Sequence, residues 1–352
     1  MDISQINLQH GNFKKHAAIN SKLIQGDFAN KKEPFLTIAI PTYRRHRTLK
    51  NTVASAINQV NIPCIYEIIV LDNEAIDDGA SNETQEMLSE YSNILYYRND
   101  SNLGLYGNWN RCIQLSRSKW VAFLHDDDML FPDYLEKIYK IIMKLKTDDA
   151  LAYIKTNMSV KKDEFELEAV FRREREKHRI KKVTRYGIND IIVLGDAGEL
   201  AAPTCGTIMN KEVVVKIGGF DPDKYPSADS QFAFSLAKKY HVYKTIESMG
   251  IYRIGLNETL KKEAIIAIID NYVAYNKAYM MKQSRFGKMY ARIFQKELDA
   301  LFLDNLSSWI GLGGVTFEIK QINRECMYNP NKYKYWVLKK IIACHHIFHG
   351  LI

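Results

Sequence analysis

Three aspartates stand in a row at residues 126–128, in the stretch FLHDDDML, directly after the apolar run KWVAFL. Adjacent carboxylates repel one another and aspartate is a poor strand former. A strand that ends this way has a use for concentrated negative charge. Helix capping accounts for one of the three, since Asp128 lies just before a helix that opens after Pro132. Clustered carboxylates suit a hard divalent cation. Mg²⁺ and Mn²⁺ take oxygen ligands, usually one or two carboxylates together with substrate phosphates. A cation held there would bridge a diphosphate and stabilise charge on a leaving phosphate.

The elements that must position such a site are legible in the hydrophobic pattern. FLTIAIPTY, YEIIVLDN, ILYYRND and KWVAFLHDDD each read as a short buried strand. The segments between them, RRHRTLKNTVASAINQV, ETQEMLSEYS and GNWNRCIQLSR, read as helices. Near-continuous apolar strands alternating with helices predict an α/β fold, a doubly wound and mostly parallel sheet covered on both faces. In such sheets ligands bind beyond the carboxyl ends of the strands. Pro41-Thr42-Tyr43, Asp72-Asn73 and Asp126-Asp127-Asp128 close three of these strands and are expected to meet on one edge.

Further along, PDYLEKIYKIIMKLK is an amphipathic helix. Residues 161–185 carry ten Lys/Arg and six Asp/Glu, which fits a solvated helix or loop, or a flap beside the substrate. PTCGTIMNKEVVVKIGGFDPD reads as a strand, a helix and a turn at Gly218-Gly219 that calls for positive φ. SADSQFAFSLAKKY is a helix with Asp229 in its first turn, and from about residue 256 the pattern is helical to the end. Trp109 and Trp120 read as core aromatics, and His241 as part of a helix-to-strand connection. The chain thus divides into a leader or loose first helix (1–33), an α/β domain (34–255, with halves 34–130 and 131–255) and a helical region (256–352).

The chain has 352 residues and a formal net charge of +8, so an anionic partner is expected. Basic residues are dispersed or paired with acids and no recognition motif is present, which sets nucleic acid aside. Five cysteines, at 64, 112, 205, 326 and 344, show no C-x-x-C spacing and argue for a reducing compartment. The opening MDISQINLQHGNFKKH lacks the apolar core of a signal peptide, and no run reaches the length of a membrane span. A cytoplasmic protein is expected, either free or peripheral on the inner face of the membrane. Residues 320–352 hold six Lys/Arg and one Glu among aromatic and aliphatic residues. Two readings of this tail stand: a helix lying on an anionic bilayer, or one docked on its own domain or a second subunit.

TIAIPTYRR, EIIVLDN, the long segment NDSNLGLYGNWNRCIQLSRSKWVAFLHDDDML, and GGFDPD followed by SADSQF occur in that order and spacing. Together they resemble the inverting GT-A glycosyltransferases of the large bacterial family 2 that builds surface polysaccharides such as O-antigen and capsule. The resemblance spans about residues 35–255. It implies a GT-A catalytic domain with a nucleotide-binding half and an acceptor half. It also implies a nucleotide-sugar donor, UDP-linked in most relatives, with Mn²⁺ or Mg²⁺ as cofactor. The acceptor would be a glycan, carried on a polyprenyl diphosphate.

Position by position, Pro41, Thr42, Tyr43 and Arg44 would line the nucleobase pocket. Asp72 would hold the base or ribose, and Asn102, Gly104 and Asn110 would shape the nucleotide side. Asp126 would reach the ribose or diphosphate. Asp127 would be the principal metal ligand with Asp128 in support, Asp229 would be the catalytic base, and Arg253 would serve the diphosphate. Cys205 would lie near the sugar, although buried packing explains it as well. The sequence departs from the family pattern at Asn73, where a second acid is usual. His125 stands at the usual first aspartate, Ala228 at the glutamate before the base, and Gly255 where a histidine is common. Two other readings are open. A nucleotidyltransferase would need a glycine-rich phosphate loop, which PTYRRHRTLK lacks. A silent glycan-binding homologue would have no need of both Asp127 and Asp229.

Overall fold

The computed structural model describes residues 10–27, 32–75, 82–162, 183–195, 198–202, 204–255, 257–312 and 330–349. Most of the charged 161–185 segment, with its flap reading, and Cys326 lie outside the described residues. The strands are β1 (Ser21–Gln25), β2 (Leu36–Thr42), β3 (Tyr66–Asp72), β4 (Leu95–Asn99), β5 (Trp120–Phe123), β6 (Met129–Leu130), β7 (Leu151–Lys161), β8 (Val183–Tyr186), β9 (Ile208–Asn210) and β10 (His241–Arg253). The helices used below are α1 (His46–Ile57), α2 (Glu83–Leu88), α3 (Gly104–Leu115), α4 (Tyr134–Lys144), α5 (Ile188–Leu194), α6 (Lys211–Ile217), α7 (Ala228–Ala237), α8 (Lys262–Asn271), α9 (Arg285–Leu312) and α10 (Lys332–His349).

One sheet runs β1-β4-β3-β2-β5-β9-β7-β10-β6, with β8 paired to β10. The β4-β3-β2-β5 block is parallel throughout, whereas β9 runs antiparallel between β5 and β7. Successive residues of β2 and β3 feed opposite faces. Ile38, Ile40, Ile68 and Val70 pack with Leu49 and Val53 of α1 and with Ile138 and Ile141 of α4. Ala39, Ile69 and Leu71 pack on the other face with Trp109, Cys112 and Ile113 of α3. Both faces are covered, so the strands are apolar at most positions and lose the alternation of a half-exposed strand. Trp109 and Trp120 are buried in these cores, as their type suggests.

Several elements depart from the sequence reading. Residues 11–25, read as a leader or loose helix, form a 3₁₀ turn at Gly11–His16 and the edge strand β1, antiparallel to β4. Arg111 anchors this segment, its guanidinium donating to Ser21 Oγ (2.6 Å) and to the carbonyls of His16 (3.0 Å) and Ile19 (2.7 Å). Strand β5 stops at Phe123, and the aspartates occupy the turn that follows it, ahead of the two-residue strand β6. His241 opens β10 itself.

The last region is helical as expected, with a π-helical turn at Tyr272–Lys277 after α8. Helix α10 docks on its own domain through one face: Leu338 joins the core where α10 meets α5 and α9, and His345 Nε2 lies 3.1 Å from Asp190 Oδ1. Among the described residues, no helix is long and apolar enough to cross a membrane.

Candidate active site

Backbone register brings the three strand ends together. Thr42 pairs with Asp72 across β2 and β3. Thr42 Oγ1 donates to Asp126 Oδ2 at 2.8 Å, and the Tyr43 N–H reaches the same oxygen at 3.3 Å. Asp126, Asp127 and Asp128 are all buried. Asp128 is fixed from three sides. The Arg253 N–H donates to its Oδ1 at 2.8 Å, His125 Nδ1 pairs with Oδ2 at 3.1 Å, and Thr52 Oγ1 donates to its carbonyl at 2.8 Å. The His125 ring stacks on Trp109, centroids 5.5 Å apart, which sets the direction of the imidazole.

Three buried acids in sequence need counter-charge. Burial, and then the charge of Asp127, push the Asp126 carboxyl up to about 7. Burial also raises Asp128, against the opposing pull of His125. On His125 burial acts downward, but the bond to Asp128 and the charges of all three aspartates win and raise it.

Arg45 supplies a second cation, pairing with Asp127 and lying 3.6 Å from Asp126. The sequence reading named Arg44 and missed Arg45. Arg44 has φ of 56°, in the left-handed region. This reverses the chain so that Arg44 turns outward to Glu74 (3.2 Å) and over the Tyr43 ring, while Arg45 turns back onto the aspartates.

One donor atom from each of His125, Asp127 and Asp128 lies within 4.8 Å of the others. The remaining ring nitrogen, His125 Nε2, is buried without a hydrogen-bond partner among the described residues. Two carboxylates and an imidazole within one ion's reach fit a divalent cation.

The nucleotide-side residues fall into two groups. Asn102 and Gly104 stay on the surface beside the end of β3, held there by Asn73. Asn73 Nδ2 donates to Asn102 Oδ1 (2.8 Å) and to the Gly104 carbonyl (3.3 Å), and its Oδ1 accepts from Asn99 and Leu103. An acid could not make the two donations, which explains the amide at this position. Pro41 and Thr42 lie within β2, and Tyr43 is exposed at its end.

Two residues of the nucleotide side are buried and bonded within the protein. Asp72 has no exposed surface, and it accepts from the Glu74 N–H (2.9 Å) and Tyr96 hydroxyl (3.0 Å), with Arg98 at 3.7 Å. These bonds fix its carboxylate at the end of β3. Asn110 is also buried, its amide closing a two-way clamp on the Phe220 backbone at 2.8 and 2.9 Å. This clamp holds the Gly218-Gly219 turn, where both glycines have positive φ and a Cβ on Gly219 would sit 2.5 Å from Asn110 Oδ1. Asn110→Ala is therefore expected to lower stability by about 1–3 kcal/mol, the cost of two stranded backbone groups, measured by urea unfolding.

Asp229 lies in the first turn of α7, partly exposed, and accepts the Ser230 N–H at 2.8 Å. Tyr106 tethers the start of this helix, its hydroxyl donating to the Pro226 carbonyl at 2.7 Å. Asn271 of α8 holds the preceding turn through the Tyr225 carbonyl (3.2 Å). Tyr252 is buried within electrostatic reach of both acidic centres: burial raises its hydroxyl well above the usual range, and the charges of Asp128, Asp127 and Asp229 raise it further. Arg253 is buried beside the aspartates, where its backbone N–H meets Asp128. Cys205 is buried against Asp128, where burial and that charge push its thiol up.

A mostly parallel sheet with acids past β5 is now matched by comparison with known proteins. Residues 37–195 match the family model described as glycosyl transferase family 2. Over these residues the chain is similar to a family 2 glycosyltransferase domain. The chain is 26% identical over 207 residues to an uncharacterised protein of Mycobacterium tuberculosis (strain CDC 1551 / Oshkosh), covering 58% of this chain and 62% of the relative. It is 27% identical over 108 residues to the poly(ribitol-phosphate) β-N-acetylglucosaminyltransferase TarP of Staphylococcus aureus (strain N315), covering 30% of this chain and 32% of TarP. The chain thus spans less than two thirds of the length of these curated relatives. Among solved structures, S. aureus TarS 1-349 in complex with UDP-GlcNAc superposes with a TM-score of 0.52 at 12% identity, over 87% of this chain and 81% of that one. The likeness is one of fold, GT-A, with a helical C-terminal region. Asp229 and the helices beyond it lie outside the family match.

Proposed function

We propose that this chain is a glycosyltransferase that moves a sugar from a UDP-linked donor to a hydroxyl of a glycan acceptor, with inversion at the anomeric carbon. The observation that carries the reading is the cluster of buried Asp126, Asp127 and Asp128 with half-buried His125, and a partly exposed Asp229 near enough that its charge and theirs act on the same Tyr252 hydroxyl. The cluster suits a diphosphate, and Asp229 suits a proton acceptor. The TarS structure was solved with UDP-GlcNAc, which supports UDP as the nucleotide and an N-acetylhexosamine as a sugar to try first.

In this reading Thr42, Tyr43, Asn102 and Gly104 line the nucleoside, and Asp126 reaches the ribose. His125, Asp127 and Asp128 would hold Mn²⁺ or Mg²⁺. When bound, that ion supplies positive charge to the diphosphate as it departs. Arg45 and Arg253 add cationic charge on the same side. Asp229 takes the proton from the acceptor hydroxyl while its oxygen bonds to the anomeric carbon. The bond to the diphosphate oxygen breaks on the opposite face, and its electron pair leaves with the nucleoside diphosphate. The acceptor is a glycan on a polyprenyl diphosphate at the cytoplasmic face, for surface polysaccharide synthesis.

Calorimetric titration with UDP, GDP and dTDP, each with and without Mn²⁺, tests the donor half. UDP is expected to bind in the presence of Mn²⁺ at least about tenfold more tightly than without it, the size of one added charge-assisted contact. Folded protein that binds none of the three would overturn the reading.

A further inference from the structure

The C-terminal helices carry a second surface that the transfer reaction does not use. The segment from Lys282 to Lys296 contains Lys282, Arg285, Lys288, Arg292 and Lys296 and no acid. All five cations are exposed. Between them α9 also exposes Met289 (54%) and Ile293 (42%). Helix α10 contains Lys332, Lys334, Lys339 and Lys340, again with no acid. It exposes Tyr333 (73%), Trp336 (56%), Ile347 (62%) and Phe348 (79%). The two helices meet where Lys334 Nζ reaches the Ile293 carbonyl at 3.3 Å. Lys340 lies over the Trp336 ring, 5.7 Å from its centroid, and Tyr333 stacks beside Trp336.

We infer that α9 and α10 together form a docking face for an anionic lipid bilayer. Two features of the face select this occupant. Nine cations on Lys282–Lys296 and α10, with the exposed acid Asp304 of α9 bonded by Tyr335, complement anionic headgroups. Each cation near such a surface adds to binding, and the attraction fades within a Debye length in salt. The interleaved Met289, Ile293, Trp336, Ile347 and Phe348 have no partner on a phosphate backbone, but at a membrane interface they enter the headgroup and acyl boundary. Tryptophan and tyrosine with lysine around them are the side chains that settle at that depth. The inward face of α10 is already committed, through Leu338 and His345, to the domain that holds the site. Binding by the outer face would therefore hold the catalytic domain at the bilayer. The sequence pointed to the tail alone. The matching stripe on α9 was hidden because its four cations, with Lys282 just before them, are spread along a segment that also feeds the core.

Co-sedimentation of the whole chain with vesicles tests this. Vesicles of phosphatidylcholine and phosphatidylglycerol are expected to bind the protein at least about tenfold more tightly than phosphatidylcholine alone, with the difference lost in high salt. Met289→Asp with Ile293→Asp should reduce binding about tenfold or more while thermal unfolding and UDP binding stay as in the parent. Lys288→Gln with Arg292→Gln is the milder second pair, in case the first disturbs folding. Four results would overturn the inference: no binding of folded protein to anionic vesicles; binding indifferent to both variant pairs; a dimer in sedimentation velocity that the variants dissolve; or capture of an RNA or DNA oligonucleotide with no vesicle binding.

Discussion

Asp127→Asn is expected to lower sugar transfer by about 10²–10³-fold or more, the scale of losing one preorganised charge at a reacting centre. Its unfolding temperature should stay equal to that of the parent or rise. The two halves of this expectation share one cause. Three buried carboxylates sit in consecutive positions, and after burial the charge of Asp127 is the largest reason that Asp126 keeps its proton up to about 7. An amide at 127 has the shape of the acid without the charge. It relieves that repulsion, and Asp126 then ionises at lower pH. Arg45 loses its partner at 127 but already lies 3.6 Å from Asp126, so its guanidinium keeps a carboxylate. The fold gains where the reaction loses, a trade expected where like charges are gathered for use.

Three measurements read this out: turnover of a UDP-sugar, calorimetric titration of UDP with and without Mn²⁺, and thermal unfolding. The variant should bind UDP alone as the parent does and lose the increment that Mn²⁺ provides. A variant that melts well below the parent would show the Arg45–Asp127 pair to be structural cement. A variant with parental turnover would remove Asp127 from the reaction centre.

How far the sequence could be read follows from the range of the forces involved. The four parallel strands were legible because each is buried on both faces, which writes an unbroken apolar run into the chain. The triple aspartate was legible for the opposite reason, since nothing in a buried turn favours it except a use. Roles that depend on contacts across the sheet were not legible. Asn110 and Asp72 have the types of ligand-binding residues, and both are bonded within the protein, Asn110 to the Phe220 backbone and Asp72 to the Glu74 N–H and the Tyr96 hydroxyl. Only the position of those partners, 110 residues away for Asn110, decides those bonds. Arg45 was passed over for its neighbour because a single left-handed residue at Arg44 exchanges which arginine faces inward, and no side-chain pattern announces a positive φ at arginine. Strand β1 was missed because its alternation is weak, as an edge strand covered on one side needs little apolar content.

Asp229→Asn is expected to reduce turnover by about 10²–10⁴-fold, the usual worth of a general base, and to leave both the fold and metal-dependent UDP binding unchanged. The structure gives a reason for each part. The start of α7 is held by Tyr106 on the Pro226 carbonyl and by Asn271 on the Tyr225 carbonyl, so the position of residue 229 does not rest on its own charge. An asparagine retains the oxygen that accepts the Ser230 N–H. What it cannot do is take up the acceptor proton. The loss should fall on kcat, with the donor KM within about threefold of the parent, because an interaction made only as the hydroxyl reacts leaves ground-state binding alone. Set beside Asp127→Asn, this separates the two acidic centres: one variant loses the Mn²⁺-dependent grip on UDP, the other keeps it and still fails to transfer. If Asp229→Asn also lost UDP binding, the residue would belong to the donor pocket. If it turned over like the parent, the proton would leave the acceptor by another route, and the assignment of α7 to the acceptor side would fall with it.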